Sequence, residues 1–246
     1  MTRKLHVILP MAGRGSRFAR AGFTTPKPLI PVDGLPMFLK ALSSLEPILA
    51  DKAYTIIIRK EHDEKYGLKK LLCDALPAIN VVMSDEEPRG AVVDVLRARP
   101  FLKSNEAVIV MDCDLWFQSA SYNEMVECSL SGDNDIAGGL LTFKADNPRY
   151  SYAKIGPDDI VTETAEKRVI SGHAITGAYF FADARTFIAA AEELLKRPTG
   201  DEMPEYYLSF LYNILIDAGN KIQAAFVDEF ASFGTPEELS AYEEAN

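Results

Sequence analysis

Cysteine is scarce in this 246-residue chain, and the three present do not pair by spacing. Cys73, Cys113 and Cys128 are odd in number and form no C-x-x-C, which argues against a disulfide framework and a zinc site. Long apolar runs are missing too; none approaches the ~20 residues that a bilayer span requires. Only five residues separate Lys4 from Pro10, too few for the apolar core of a secretory signal. A soluble, cytoplasmic protein is the expectation. Basic charge is in deficit: 26 Lys and Arg stand against 36 Asp and Glu, for a net −10 and a pI ≈ 4.9. Polyanions need a basic footprint, so neither nucleic acid nor an anionic membrane is expected as a partner. Also lacking are a linker rich in Gly, Ser or Pro and any internal repeat.

The charge that is present is unevenly placed. Residues 1–40 carry seven basic side chains (Arg3, Lys4, Arg14, Arg17, Arg20, Lys27 and Lys40) against Asp33 alone, a net of +6. Residues 200–246 carry ten acids against Lys221, a net of −9. The acidic end reads as solvated surface. In the basic segment the positions of the charges matter more than their number.

Apolar patterning gives the organisation. Short β-rich runs at 5–9, 54–58, 79–83 and 107–111 predict strands, alternating with helical spacing at 36–48, 63–76 and 91–98. Such alternation implies an α/β fold with a mostly parallel central sheet covered by helices on both faces. The second half predicts strands at 136–143, 152–155, 160–163, 174–181 and 221–227, with few helices between them. Helical spacing returns at 186–196, 205–217 and 236–244. A single domain over 1–246 is expected, with a parallel half to about residue 130 and a mixed half from about 131.

The most informative stretch is Leu9-Pro10-Met11-Ala12-Gly13-Arg14-Gly15-Ser16-Arg17-Phe18. A glycine-rich turn at the carboxyl end of a strand lets backbone N–H groups approach phosphate oxygens without Cβ obstruction. In open α/β sheets ligands also sit at that edge. There is no G-K-S/T, so this is not a Walker loop. Phe18 stands where a Rossmann G-x-G-x-x-G has its third glycine. Arg14 and Arg17 suit multiply charged oxygens, because guanidinium offers paired donors. Eight residues beyond Phe18 comes Pro26-Lys27-Pro28-Leu29, where the prolines present Lys27 from a stiffened backbone.

Together these segments resemble the signature of the sugar-phosphate nucleotidyltransferase family, A-G-x-G-S/T-R followed by P-K-P-L/M. The resemblance implies a Rossmann-like fold of the glycosyltransferase-A type. It assigns 1–130 to an NTP and 131–246 to a phosphorylated small-molecule acceptor. It implies nucleotide contacts from Met11, Ala12, Gly13, Arg14, Gly15 and Ser16, and catalytic roles for Arg17 and Lys27. Pro88-Arg89-Gly90-Ala91 is similar to the family's P-x-G-S/T-A segment, so Pro88 and Gly90 are expected against base and ribose. Asp85 falls where a polar side chain reads the base. A carboxylate only accepts hydrogen bonds, which favours the donor-rich edges of CTP or GTP.

Asp112-Cys113-Asp114 ends a strand, and spacing of two puts both carboxylates on one face. Hard oxygen ligands beside polyphosphate suit Mg²⁺. By resemblance Asp114 is the direct ligand, with Asp112 reaching the ion indirectly. Glu166-Lys167 resembles the family's E-K pair, in which the acid holds the acceptor and the lysine its phosphate. Gly177, in Gly177-Ala178-Tyr179-Phe180-Phe181, is similar to the G-x-Y-x-F strand that follows. Phe233-Gly234-Thr235-Pro236-Glu237-Glu238-Leu239 resembles the closing G-T-P-D/E-D/E-L. There the chain departs from type: Ser232 stands where sugar-type members often carry a metal-binding aspartate. The departure leaves room for a non-sugar acceptor such as phosphocholine or a phosphorylated amino-acid derivative. His6, His62 and His173 match no expected catalytic position and read as structural or surface residues. Trp116 and Phe117 read as core, with the acceptor pocket as the alternative.

The expected reaction is transfer of an NMP from an NTP to a phosphomonoester, sugar 1-phosphate favoured, with release of pyrophosphate. A metal-dependent glycosyltransferase is a rival, but it has no need of the Gly-Arg loop or of Pro-Lys-Pro. A non-catalytic nucleotide-binding protein is the other rival, prompted by Ser232. The sequence leaves a homo-oligomer open.

Overall fold

The computed structural model describes residues 3–76, 78–84, 89–200 and 203–245. The first half alternates as its patterning predicts. β1 (Leu5–Met11) leads through the glycine loop into the short α1 (Ser16–Arg20). A two-stranded ribbon, β2 (Pro31–Val32) and β3 (Leu35–Pro36), precedes α2 (Met37–Ser43). Then come β4 (Lys52–Arg59), α3 (Lys60–Tyr66), α4 (Leu68–Ala75), β5 (Asn80–Ser84), α5 (Ala91–Val95) and β6 (Ala107–Met111). The helix expected over 63–76 is two helices, because Gly67 at φ 63 breaks the run between α3 and α4. β1, β4, β5 and β6 pair in parallel, with β1 between β4 and β6.

The second half extends the same sheet with mixed direction. β7 (Leu115–Gln118) leaves the main sheet; α6 (Ala120–Ser131), β8 (Gly138–Lys144), β9 (Ser151–Ile155), β10 (Val161–Glu166) and β11 (His173–Phe181) follow. After them come α7 (Ala184–Leu195), α8 (Ser209–Asp217), β12 (Ile222–Phe226), β13 (Glu229–Ser232) and α9 (Pro236–Ala245). β11 is the hinge of this arrangement. Its second half pairs antiparallel with β6, its two ends pair with β8 on either side of a bulge between Ile175 and Tyr179, and Ala174 near its start meets Tyr152 of β9. β12 adds in parallel to β8, and β9 and β10 form an antiparallel pair.

Alternation along β1 places Leu5, Val7 and Leu9 in one apolar core and Ile8 in the other, so the sheet is covered on both faces. One face takes α2, α4 and α6 through Phe38, Leu72 and Tyr122; the other takes α5, α7 and α8 through Val92, Phe187 and Leu211. The helix α6 went unpredicted. Its signals are Ser119, whose Oγ accepts from Tyr122 N at 3.0 Å, and Gly132 at φ 86 as the stop. Phe117 is buried in the core, as expected. Trp116 packs with Lys40, whose Nζ lies 4.4 Å from the ring centroid, and does not line the candidate acceptor cavity. His6 is a buried structural residue bonded to Thr55 Oγ1 at 2.8 Å. Among the described residues no helix is long and apolar enough to cross a membrane.

Candidate active site

The carboxyl ends of β1 and β6 open into a cleft of about 590 Å³. Its floor and one wall come from the glycine loop: Gly13, Gly15, Ser16 and Arg17 line it. Gly15 sits at φ 61 and precedes α1, and a Cβ there would lie 3.3 Å from Lys27 Cβ. A Cβ on Gly13 would meet nothing within 4 Å, so the loop backbone faces open space. Phe18 anchors the loop from below, buried with Ile30, Val32 and Phe233. Of the other loop residues, Met11 is buried yet borders the cleft, while Ala12 is packed in the core with its carbonyl held by Arg59 Nε at 3.2 Å. Arg14 is exposed and lies outside the cleft lining.

Lys27 enters the same cleft. Its segment is a single 3-10 turn, Lys27–Leu29. Leu29 N donates to Pro26 O at 2.9 Å and Ile30 N to Lys27 O at 3.1 Å, so the stiff mount is kept by backbone hydrogen bonds. The ammonium makes an ion pair with Asp114 Oδ2. Burial on its own would lower the Lys27 pKa, but the charges of Asp114 and Asp112 outweigh it and hold the group above its ordinary value. Lys27 stays charged.

Asp112 is recessed where β6 meets β11. Its backbone N–H donates to Gly177 O at 3.0 Å, and Gly177 sits at φ 105, where β11 bulges away from β8. A Cβ on Gly177 would fall 2.6 Å from Asp112 Oδ2, so glycine is what allows this approach. Burial, then the neighbouring Asp114, push Asp112 up to about 7, with Glu166 adding to the effect and Lys27 opposing it. Cys113 between the carboxylates is pushed by burial up to about 12, which makes it an inert thiol.

A second cavity of about 250 Å³ adjoins the first, and Asp112 and Asp114 line both. Its other walls include Arg149, Ser151, Glu166, Gly177, Tyr207 and Ser232. Glu166 accepts from Ser151 Oγ and from Ser209 Oγ at 3.0 Å. Ser232 reaches the cavity because β13 pairs with β7, placing it opposite Leu115, next to Asp114. Phe233 N donates to Asp114 O at 2.7 Å, which ties the closing segment to the carboxylate strand.

The predicted site residues are thus largely brought together, with exceptions. Lys167 leaves β10 at φ 52 and gives its ammonium to Tyr207 Oη at 2.9 Å, in a neighbouring cavity. Gly90 lines neither part of the cleft; a Cβ there would sit 2.3 Å from Tyr206 N, so this glycine serves close backbone packing. Asp85 and Pro88 lie outside the described residues. Sequence reasoning missed Arg149, Ser151 and Tyr207; Glu238 stood in the closing motif with no role read for it.

Among the described residues no cluster of three or more His, Cys, Asp or Glu is arranged to hold a metal ion. Two converging carboxylates nevertheless fit Mg²⁺, which commonly takes one or two from the protein and its remaining ligands from phosphate and water.

A glycine loop facing a carboxylate pair across a β1–β6 cleft, on a sheet of this order, defines a nucleotidyltransferase-like α/β protein. The particular family follows from comparison: the MobA-like NTP transferase domain matches residues 7–155, more than half of the sequence, and the chain belongs to that family. In structure it is similar to a nucleoside-diphosphate-sugar pyrophosphorylase from Vibrio cholerae RC9, at TM-score 0.82 and 25% identity over 97% of this chain and 99% of the other. An inositol-1-phosphate CTP transferase from T. maritima shares the fold at TM-score 0.76 and 14% identity, over 99% and 96% of the two chains. So does a Bacillus anthracis chain assigned as a glucose-1-phosphate thymidylyltransferase and bound to sucrose, at TM-score 0.76 and 21% identity over 98% and 94%. No curated protein matches the chain by sequence.

Proposed function

We propose that the protein joins an NMP from an NTP to a phosphorylated small molecule, with a sugar 1-phosphate as the favoured acceptor, and releases pyrophosphate. The observation that carries this is the junction of the two cavities at Asp112 and Asp114, the latter paired with Lys27: one cavity carries the glycine loop and Lys27, the other Glu166. The whole chain acts as one domain, its parallel half taking the NTP and its mixed half the acceptor.

An acceptor phosphate oxygen attacks the α-phosphorus as the bond to the β-phosphate oxygen breaks, and pyrophosphate leaves in line. The acceptor phosphate is already ionised near neutral pH, so no general base is needed. What the chain must supply is alignment of two anions and neutralisation of their charge. The backbone of 13–16 and Arg17 hold the β- and γ-phosphates. Lys27 holds the α-phosphate at the junction, and Glu166 accepts from acceptor hydroxyls. Mg²⁺ held by Asp114 and Asp112 would supply charge neutralisation on the polyphosphate.

Ser232, lacking the carboxylate often found there in sugar-type members, supports a second acceptor class, a non-sugar phosphomonoester. The test is a matrix of CTP, GTP, UTP, dTTP and ATP against hexose 1-phosphates, inositol 1-phosphate and phosphocholine, read by pyrophosphate release with Mg²⁺. Turnover on one pair with CTP or GTP is the expected result. Nucleotide binding with no turnover anywhere would leave a non-catalytic binder, and glycosyl transfer without pyrophosphate would overturn the assignment.

A further inference from the structure

The proposed reaction brings an acceptor phosphate into a cavity whose walls already carry Asp112, Asp114 and Glu166. An anion placed there needs a cation. Lys27 lines the larger cavity, where it is assigned to the α-phosphate, and Lys167 is turned onto Tyr207 Oη, outside the lining of this cavity. Among the described residues that line the cavity, Arg149 is the one cation.

Arg149 is held in place. Its guanidinium lies over the Tyr150 ring, 4.5 Å from the centroid, and its Nη2 donates to Tyr150 Oη and pairs with Glu238 Oε1. Glu238 is fixed in turn: its Oε2 accepts from Ser232 Oγ at 3.1 Å and from Thr235 N at 3.1 Å. Both Arg149 contacts use Nη2, so Nε and Nη1 keep their donors among the described residues. A planar guanidinium with donors to spare, stacked and oriented, suits a phosphate better than a mobile ammonium does. This arrangement also accounts for the departure at position 232. An aspartate there would set another carboxylate against Glu238, whereas the serine hydroxyl donates to it.

We propose that Arg149 binds the acceptor phosphate, with Glu238, braced by Ser232, as its positioning residue. The assignment rests on the nucleotidyltransferase reading, and two measurements separate their failures. The first is calorimetric titration of methyl phosphate into wild-type protein, Arg149→Ala and Lys167→Ala. The second is steady-state pyrophosphate release on the NTP–acceptor pair found in the matrix above.

Arg149→Ala is expected to weaken methyl phosphate binding and raise the acceptor KM by about tenfold or more, the loss of a charge-assisted contact, with the NTP KM unchanged. Arg149→Lys recovers part of the loss, Lys167→Ala does less harm, and Glu238→Gln raises the acceptor KM a few-fold with the NTP KM unmoved. Unchanged acceptor KM and binding in Arg149→Ala, an equal rise in the NTP KM, or a larger effect from Lys167→Ala would each overturn the assignment. So would a wild-type protein that binds no methyl phosphate at millimolar concentration. If methyl phosphate binds through Arg149 but no pair releases pyrophosphate, the anion site stands and the reaction falls.

Discussion

The two halves of the cleft are assembled in different ways. The nucleotide side is built largely from one continuous stretch: the loop 13–17 comes off β1, and Lys27 follows within a few turns of chain. The acceptor side draws on distant segments, with Arg149 and Ser151 from before and within β9, Glu166 from β10, Gly177 from β11, Tyr207 before α8 and Ser232 from β13. Phosphates are recognised by backbone and fixed cations, which a short motif can encode. An acceptor is recognised by side chains that only the sheet order brings together. The carboxylates Asp112 and Asp114 belong to both sides, so a change there tests the two at once.

Asp114→Asn is therefore expected to have the largest effect, lowering kcat by about 10³-fold or more, since it removes charge from the proposed ion site and frees Lys27 together. Single-turnover pyrophosphate release, with a melting curve to confirm folding, measures it. Next come Arg17→Ala and Lys27→Ala, each lowering kcat by on the order of 10²–10³, the cost of losing one preorganised donor. Near-wild-type turnover in either well-folded variant would break the claim that the nucleotide side is concentrated in this one stretch.

Legibility follows the same division. The parallel half could be read because each strand and helix carries its own period, and the loop could be read because phosphate binding needs glycines and cations at short spacing. Lys27 was legible as a mounted cation, though its 3-10 turn was not. At the border of the two halves, α6 carries its signals at its ends, Ser119 and Gly132, while its buried face is interrupted by the polar Ser129. Arg149 lies in the loop between β8 and β9 and has no periodicity to betray it. Its partner Glu238 is 89 positions away, and long-range contacts, the β7–β13 pairing and the Phe233 N to Asp114 O hydrogen bond, bring that segment to the cleft. Gly177 was legible as part of a strand motif, but its reason, the approach of Asp112, belongs to the packing.

That junction gives the third test. Gly177→Ala places a Cβ within 2.6 Å of Asp112 Oδ2 and 2.9 Å of Leu115 Cδ2, at a backbone φ of 105 that L side chains rarely adopt. A loss of roughly 1–3 kcal/mol in stability is expected from the strained backbone and the crowding. Urea denaturation reads the change as a lower midpoint at unchanged slope. A variant as stable as wild type would mean that β11 relaxes freely, and that the two halves are less tightly joined than their shared carboxylates imply.

The smallest effect is expected on the acceptor side. Glu166 is held by hydroxyls from Ser151 and Ser209, so Glu166→Gln keeps the shape of the pocket while removing a charged acceptor from the proposed sugar or alcohol contact. Loss of one charge-assisted hydrogen bond amounts to about tenfold in the acceptor KM. The NTP KM should stay where it is, because Glu166 lines the smaller cavity and not the larger. The informative quantity is the ratio of the two KM shifts in the same preparation. A ratio near one would show that the cavities are not separate binding sites, and that a single ligand spans both. A large ratio, with kcat little changed, would confine Glu166 to ground-state binding of the acceptor.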